Sequence, residues 1–266
     1  MRTSISDLPN YREACRKAAS DDAAFAGFRR APDYSWVVSE AIPHEARDFY
    51  AMLEQRGFDF DFFESVRDLD RVGGPHLVDY ARAGSVSPQT MRYVKVLSDL
   101  ELLFGSLEGK SVVEIGVGFG GQCAVLARRH RLARYTLVDL PEPLMVARRY
   151  LESLAIDNVA FAVLEEMSPS LRHDLVISNY GISEVARAHQ VEYVNRVLRW
   201  TDAGYLLWNS EQMKQVRDWH SRLYGNDAIY ADEMLALLPE SRLLGPEWLA
   251  IGEREYGTRL MVWGTR

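Results

Sequence analysis

The stretch Ser111-Val-Val-Glu-Ile-Gly-Val-Gly-Phe-Gly-Gly-Gln122 reads as a short buried strand, a glycine loop and the start of a helix. Val112, Val113 and Ile115 are β-branched, as a central parallel strand covered on both faces prefers. Gly116, Gly118 and Gly120 remove the Cβ where the chain must turn sharply, and they let a ligand lie against the backbone. The helix predicted from Gln122 to His130 aims its first N–H groups and its positive dipole end over the loop. That geometry suits a nucleotide-like ligand.

The glycines leave the nucleotide open, because Gly116, Gly118 and Gly121 also satisfy the G-x-G-x-x-G dinucleotide pattern. Two acids narrow it. Glu114, two positions before the first glycine, is costly to bury without a cation or several donors. It suits the ammonium of a cofactor that carries an amino acid, and it has no use against a pyrophosphate. Arg134-Tyr-Thr-Leu-Val-Asp139 reads as a second strand ending in an acid 23 residues after Gly116. An acid there can accept from both ribose hydroxyls. Glu114-Ile-Gly-Val-Gly-Phe-Gly120 and Leu137-Val-Asp139 together resemble the first two motifs of class I S-adenosylmethionine (SAM) dependent methyltransferases. The resemblance implies SAM as cofactor. A nicotinamide-dependent dehydrogenase and a non-catalytic partner protein of the same fold are the alternatives. Glu114 argues against the first, and an intact Gly116, Gly118, Gly120 and Asp139 against the second.

The bulk composition sets further bounds. With 47% apolar and 26% charged residues, the 266-residue chain has an ordinary globular composition. A formal charge of -7 disfavours a nucleic-acid binder, which would show a basic face. The two cysteines, Cys15 and Cys123, make neither a disulfide framework nor a zinc spacing. Met1 to Asp21 lacks the apolar core of a signal peptide, and no apolar run reaches membrane-spanning length. The expectation is a cytoplasmic protein without membrane or nucleic-acid partners.

Residues 1–108 read as an almost wholly helical N-terminal region, with no convincing strand. Asp21–Phe28 and Pro43–Leu53 are candidate helices. Phe58-Asp-Phe-Asp-Phe-Phe63 alternates like a strand between helical stretches. Its aromatics are read as groove fillers, with a substrate wall as the alternative. Val72-Gly-Gly-Pro75 breaks the chain. Ser87 and Pro88 begin a helix carrying Met91, Val94, Leu97, Leu100 and Phe104 on one stripe, and Gly105 ends it. Its start is expected near the glycine loop, from where Arg92 and Tyr93 would reach the cofactor's carboxylate; a solvated Arg and a packed Tyr are the alternative reading.

From Gly109 to the end, strands alternate with helices as in a doubly wound, mostly parallel, Rossmann-like sheet. Further strands are predicted at Val159–Leu164, Asp174–Ser178 and Ala203–Asn209. After another helical stretch, Trp248–Gly252 and Arg259–Trp263 are predicted to pair as a closing hairpin, giving seven strands in all. Residues 109–266 form the cofactor domain. The N-terminal region is expected to cover the acceptor site and to offer a homodimer surface.

In such sheets ligands bind outside the carboxyl ends of the strands. Here that selects the Gly116 loop, Asp139-Leu140, Asn179 to Glu184 and Asn209. Gln122 opens the helix over the loop, Leu140 would flank the adenine, and Asn179 and Tyr180 follow a strand. A hydroxyl acceptor needs a base. Glu184 ranks first, with capping of the next helix as its other reading. His76, beside the Gly73-Gly-Pro75 breaker, ranks second. His130, His189 and His220 read as helix-surface residues. No acid cluster has metal-ligand character, so no metal is expected.

A narrower resemblance covers Gly73 to the C-terminus. The chain is similar to the sugar O-methyltransferase family of bacterial natural-product and polysaccharide tailoring. The matching pieces are Gly73-Gly-Pro75, Ser87-Pro-Gln-Thr-Met-Arg-Tyr93, Val113–Gln122, Tyr135-Thr-Leu-Val-Asp-Leu-Pro-Glu-Pro143, Ser178-Asn-Tyr-Gly-Ile-Ser-Glu184 and Leu244-Gly-Pro246. It departs at Gly74, where a polar residue such as Asn is usual, and at Val117, where a smaller one is. The resemblance implies a sugar-type hydroxyl on a small-molecule acceptor. A non-sugar hydroxyl, an amine or a carboxyl remains the alternative within the same fold.

Overall fold

The computed structural model of the chain describes residues 5–38, 43–169, 171–209, 228–255 and 257–266. The helical stretch predicted just after Asn209 lies outside the described residues, as does His220. The N-terminal part carries α1 (Pro9–Ser20), α2 (Asp22–Gly27), α3 (Pro32–Ser35), α4 (Pro43–Gln55) and α5 (Phe63–Val66). A small hairpin follows, β1 (Val78–Tyr80) with β2 (Gly84–Val86), and then α6 (Pro88–Phe104). The remainder holds β3 (Ser111–Ile115), α7 (Gly121–Arg129), β4 (Arg134–Val138), α8 (Pro141–Ser153) and β5 (Val159–Ala162). It continues with β6 (His173–Asn179), α9 (Arg187–Arg196), β7 (Thr201–Trp208), α10 (Ala231–Leu237), β8 (Arg242–Leu243), α11 (Ile251–Glu255) and β9 (Arg259–Trp263).

Among the described residues the main sheet has seven strands in the order β5-β4-β3-β6-β7-β9-β8. β3 to β7 run parallel, and β9 lies antiparallel to both β7 and β8. The chain steps outward from β3 to β5 and then returns to β6 on the other side of β3. This reversal opens a crevice at the carboxyl ends of the central strands. Strand residues alternate between two cores. Val112, Leu175 and Leu207 face one, while Val113, Val176 and Leu206 face the other. The N-terminal helices share the first core, through Tyr11, Phe28, Phe49 and Leu53. No helix among the described residues is long and apolar enough to cross a membrane.

Three expectations are corrected. The N-terminal region is not wholly helical, because β1 and β2 pair over three residues each, Val78 opposite Val86. Strands that short leave no alternation to read. Second, Trp248–Gly252 is not a strand, and the hairpin partner of β9 is Arg242–Leu243. The apolar run coils instead, because Glu253 Oε2 accepts from the Ala250 N–H at 2.8 Å and caps α11. Third, α6 has more than an apolar stripe. It is buried on nearly every side from Pro88 to Leu100, including Lys95 and Asp99. As expected, Ser87 caps it, accepting from the Thr90 N–H at 3.1 Å. Phe60 to Phe63 are helical, and with Phe58 their rings pack on one another, Phe60 on Phe63 at 5.7 Å. The departure at Gly74 also has a local cause. Its φ is +60°, and a Cβ there would stand 2.7 Å from the Ala26 carbonyl oxygen.

The buried charges of α6 tie the layers together. Asp99 takes Lys95 Nζ at 2.8 Å, an Arg56 guanidinium nitrogen at 2.7 Å and the Tyr205 hydroxyl at 2.6 Å. Lys95 also donates to the Trp248 carbonyl at 2.5 Å. Asp99→Asn preserves volume but leaves Lys95 as an uncompensated buried cation. It is expected to destabilise the protein by about 3 kcal/mol. Urea unfolding reads this as a lower midpoint at constant slope. An unmoved midpoint would show that the cluster does not hold α4, α6 and β7 together.

Candidate active site

The carboxyl ends of β3, β4, β5 and β6 open on a cavity of about 420 Å³. Its floor is the glycine loop. Gly116, Gly118 and Gly120 have φ of +75°, +55° and +84°, a region that favours residues without a Cβ. At Gly116 the need is absolute, since a Cβ would lie 2.5 Å from the Gly181 Cα, where the loops after β3 and β6 cross. Gly120 turns the chain into α7 but packs on Leu151 and does not line the cavity.

Two acids reach the cavity from adjacent strands. Asp139 ends β4 and grips the loop. Its Oδ2 accepts from the Val117 N–H at 2.8 Å and its Oδ1 from the Leu140 N–H at 2.7 Å. Burial pushes its carboxyl up to about 6, against the pull of the Leu140, Val117 and Gly118 N–H groups. Glu114 on β3 is almost wholly buried and, among the described residues, holds one hydrogen bond, from the Tyr135 hydroxyl at 2.8 Å. Burial pushes it up to about 8.

The opposite wall comes from α6 and the turn after β6. Arg92 and Tyr93 both line the cavity. The Arg92 guanidinium lies 5.7 Å from the Tyr93 ring and 5.9 Å from the Tyr180 ring, and its buried Nε has no partner among the described residues. Tyr180 is a non-glycine residue at φ 73°, and its hydroxyl donates to Glu253 Oε1 at 2.7 Å. Asn179 lines the cavity, with its Oδ1 buried and without a partner among the described residues. Its amide donates to Gln122 Oε1 at 3.2 Å, while the Gln122 amide donates to the Tyr93 carbonyl at 3.2 Å. Gln122 is thus a strut behind the cavity and not one of its walls.

Glu184 also stands in the cavity. The residue before α9 is Ala186, with no side-chain cap, so Glu184 does not cap that helix. Its Oε1 accepts from the Asn209 amide at 2.7 Å, beyond the end of β7. The Ser183 hydroxyl holds that amide's oxygen at 2.5 Å. Burial pushes the Glu184 carboxyl up, against the pull of Asn209 and of the Arg92 charge.

His76 is exposed and is not among the residues that line the cavity. His189 is one of them, contrary to its reading as a surface residue, and its Nδ1 is buried without a partner among the described residues. The available signal was its place on the first turn of α9, the helix that follows the β6 end. Leu140 lines the cavity as predicted, joined by Val163, Leu164 and Glu165 after β5. Tyr11, Val37 and Val38 of the N-terminal part complete the enclosure. No motif marks these, because they arrive by packing. Arg12 and Arg16 of α1 both pair with Glu142 at the start of α8, at 2.9 and 2.8 Å.

No protein-family model matches the sequence, and no curated protein matches it. Solved structures do. An O-methyltransferase family protein from Burkholderia thailandensis superposes with a TM-score of 0.50 at 14% identity, over 66% of this chain and 57% of that one. The Rossmann-like methyltransferase fold is therefore shown. A Haloferax volcanii complex with the Trm112 methyltransferase activator matches at a TM-score of 0.47 and 18% identity, over 65% of this chain and 89% of the other. Phosphoethanolamine N-methyltransferase 1 of Haemonchus contortus, solved with phosphoethanolamine and S-adenosylhomocysteine, matches at 0.36 and 19% identity, over 44% and 25%.

Proposed function

We propose that the cavity takes SAM and that the chain transfers its methyl group to a hydroxyl of a small acceptor. The observation that carries this reading is the company of Glu114 and Asp139 at adjacent strands of one cavity, with the Gly116–Gly118 backbone between them. SAM presents an ammonium, a carboxylate, a ribose diol and an adenine, and the residues present fit all four. Glu114 would take the ammonium and Arg92, beside Tyr93, the carboxylate. Asp139 would accept from the ribose hydroxyls with the lone pairs that the loop N–H groups leave free. Leu140, Val163 and Leu164 would face the adenine, with Glu165 near its amino group.

When bound, the cofactor supplies an activated methyl group and its own leaving group. The chain must then place the acceptor and take up its proton. Glu184 is the proposed base, held toward the cavity by Asn209, and Tyr180 and Asn179 would border the acceptor. That the acceptor is a sugar-type hydroxyl rests on the resemblance of Asp139-Leu-Pro-Glu-Pro143 and Ser178-Asn-Tyr-Gly-Ile-Ser-Glu184 to the sugar O-methyltransferases.

Melting curves with S-adenosylhomocysteine, SAM and NAD(H) in separate wells test the cofactor. A ligand at a hundred times its Kd adds about 2.7 kcal/mol, or roughly 5–10 °C for a chain of this size. The expected rise is with the first two ligands only. A rise with NAD(H) alone would sink the reading in favour of a dehydrogenase, and no rise with any would favour a non-catalytic role.

A further inference from the structure

Glu114 is 2% exposed yet lines the cofactor cavity. Among the described residues, the titratable groups around it are Tyr135 at the start of β4, Asp139 just past its end, Tyr93 of α6 and Cys123 of α7. None of these is a cation. Arg92 shares the cavity, but the groups its charge meets are Tyr93, Tyr180, Glu253 and Glu184. Among the described residues, the one donor to Glu114 is the neutral Tyr135 hydroxyl. An ionised carboxylate in such surroundings is costly, and an arriving cation removes most of that cost.

We propose that Glu114 rests as the neutral acid in the ligand-free cavity and ionises when the ammonium of the cofactor's amino-acid end arrives. Cofactor binding then releases one proton. This rests on the cofactor reading above. The Glu114 O–H bond breaks, its electron pair stays on the carboxylate and the proton passes to buffer, with no redox change.

The sign follows from linkage. The free protein holds the proton up to about pH 8, and the complex does not. Affinity for an ammonium-bearing ligand therefore rises about tenfold per pH unit below that value, and it falls again once the ligand's own ammonium loses its proton. Asp139, pushed up to about 6, adds a smaller rise at lower pH. 5′-Methylthioadenosine keeps the ribose and adenine but lacks the amino acid, so it reports the Asp139 contribution alone.

Titration calorimetry at pH 7 in phosphate and in Tris, which differ in ionisation heat, counts the protons. S-adenosylhomocysteine, which meets both acids, should release about 1.0 proton on the wild-type protein and 5′-methylthioadenosine about 0.1. Glu114→Gln should reduce the first figure to the second while its affinity for 5′-methylthioadenosine stays unchanged. Equal release by the two ligands on the wild-type protein would overturn the proposal, and that comparison stands even if the variant fails to fold. S-adenosylhomocysteine failing to bind the wild-type protein at all would instead overturn the cofactor reading beneath it.

Discussion

Asp139→Ala is expected to lower S-adenosylhomocysteine affinity by about a thousandfold or more. One carboxylate carries two jobs. It accepts from the Val117 and Leu140 N–H groups and so sets the shape of the loop on which the ligand lies. In the proposed complex it also accepts from the ribose hydroxyls. Hydrogen bonds to a charged group contribute about 1.5–3 kcal/mol each. Losing two ribose bonds alone accounts for roughly a hundredfold or more, and leaving two loop N–H groups without their acceptor extends the loss. Asp139→Asn separates the two jobs. Its one amide oxygen can keep one loop bond, so it should bind S-adenosylhomocysteine more tightly than the Ala variant but below wild type. Affinity within about twofold of wild type in the Ala variant would remove Asp139 from the cofactor site.

Glu184→Gln is expected to slow methyl transfer by about 100- to 10,000-fold, the range over which a positioned base acts. The amide side chain can still accept from Asn209 through its oxygen, so the local geometry survives. S-adenosylhomocysteine affinity should stay within about twofold. Because burial lifts the Glu184 carboxyl above the ordinary range, the base is ionised only as pH rises past that raised value. The wild-type rate should therefore climb with pH through a limb that Glu184→Gln lacks. The measurement is single-turnover transfer of a labelled methyl group to the best acceptor from a panel of sugars and glycosylated metabolites. A variant with full rate and the same pH limb would leave Glu184 as an anchor for Asn209, and His189 would become the group to replace next.

Much of the fold was legible because it rests on local rules. The β-branched run Val112 to Ile115, the glycines after it and the acid ending β4 each carry their meaning within a few residues. The Ser87 cap and the Gly105 stop of α6 are equally local. The same holds for the site residues that follow strands, since a strand's carboxyl end in a parallel sheet is a position the order of elements alone supplies. Glu114, Gly116, Gly118, Asp139, Leu140, Asn179, Tyr180 and Glu184 all meet in the cavity for that reason.

What the sequence by itself determined is therefore the alternating sheet and the strand ends that floor the cavity. The tertiary structure alone decided what closes over them. Tyr11, Val37 and Val38 reach the cavity because α1 to α3 pack on the sheet's first core, an outcome of long-range apolar burial that leaves no mark in local spacing. Gln122 turned away from the cavity because buried amides must find partners, and Tyr93 and Asn179 supplied them. Trp248–Gly252 coiled because Glu253, its cap, also had the Tyr180 hydroxyl to accept. A contact between residues 73 apart in the chain outweighed the strand tendency of a short apolar run.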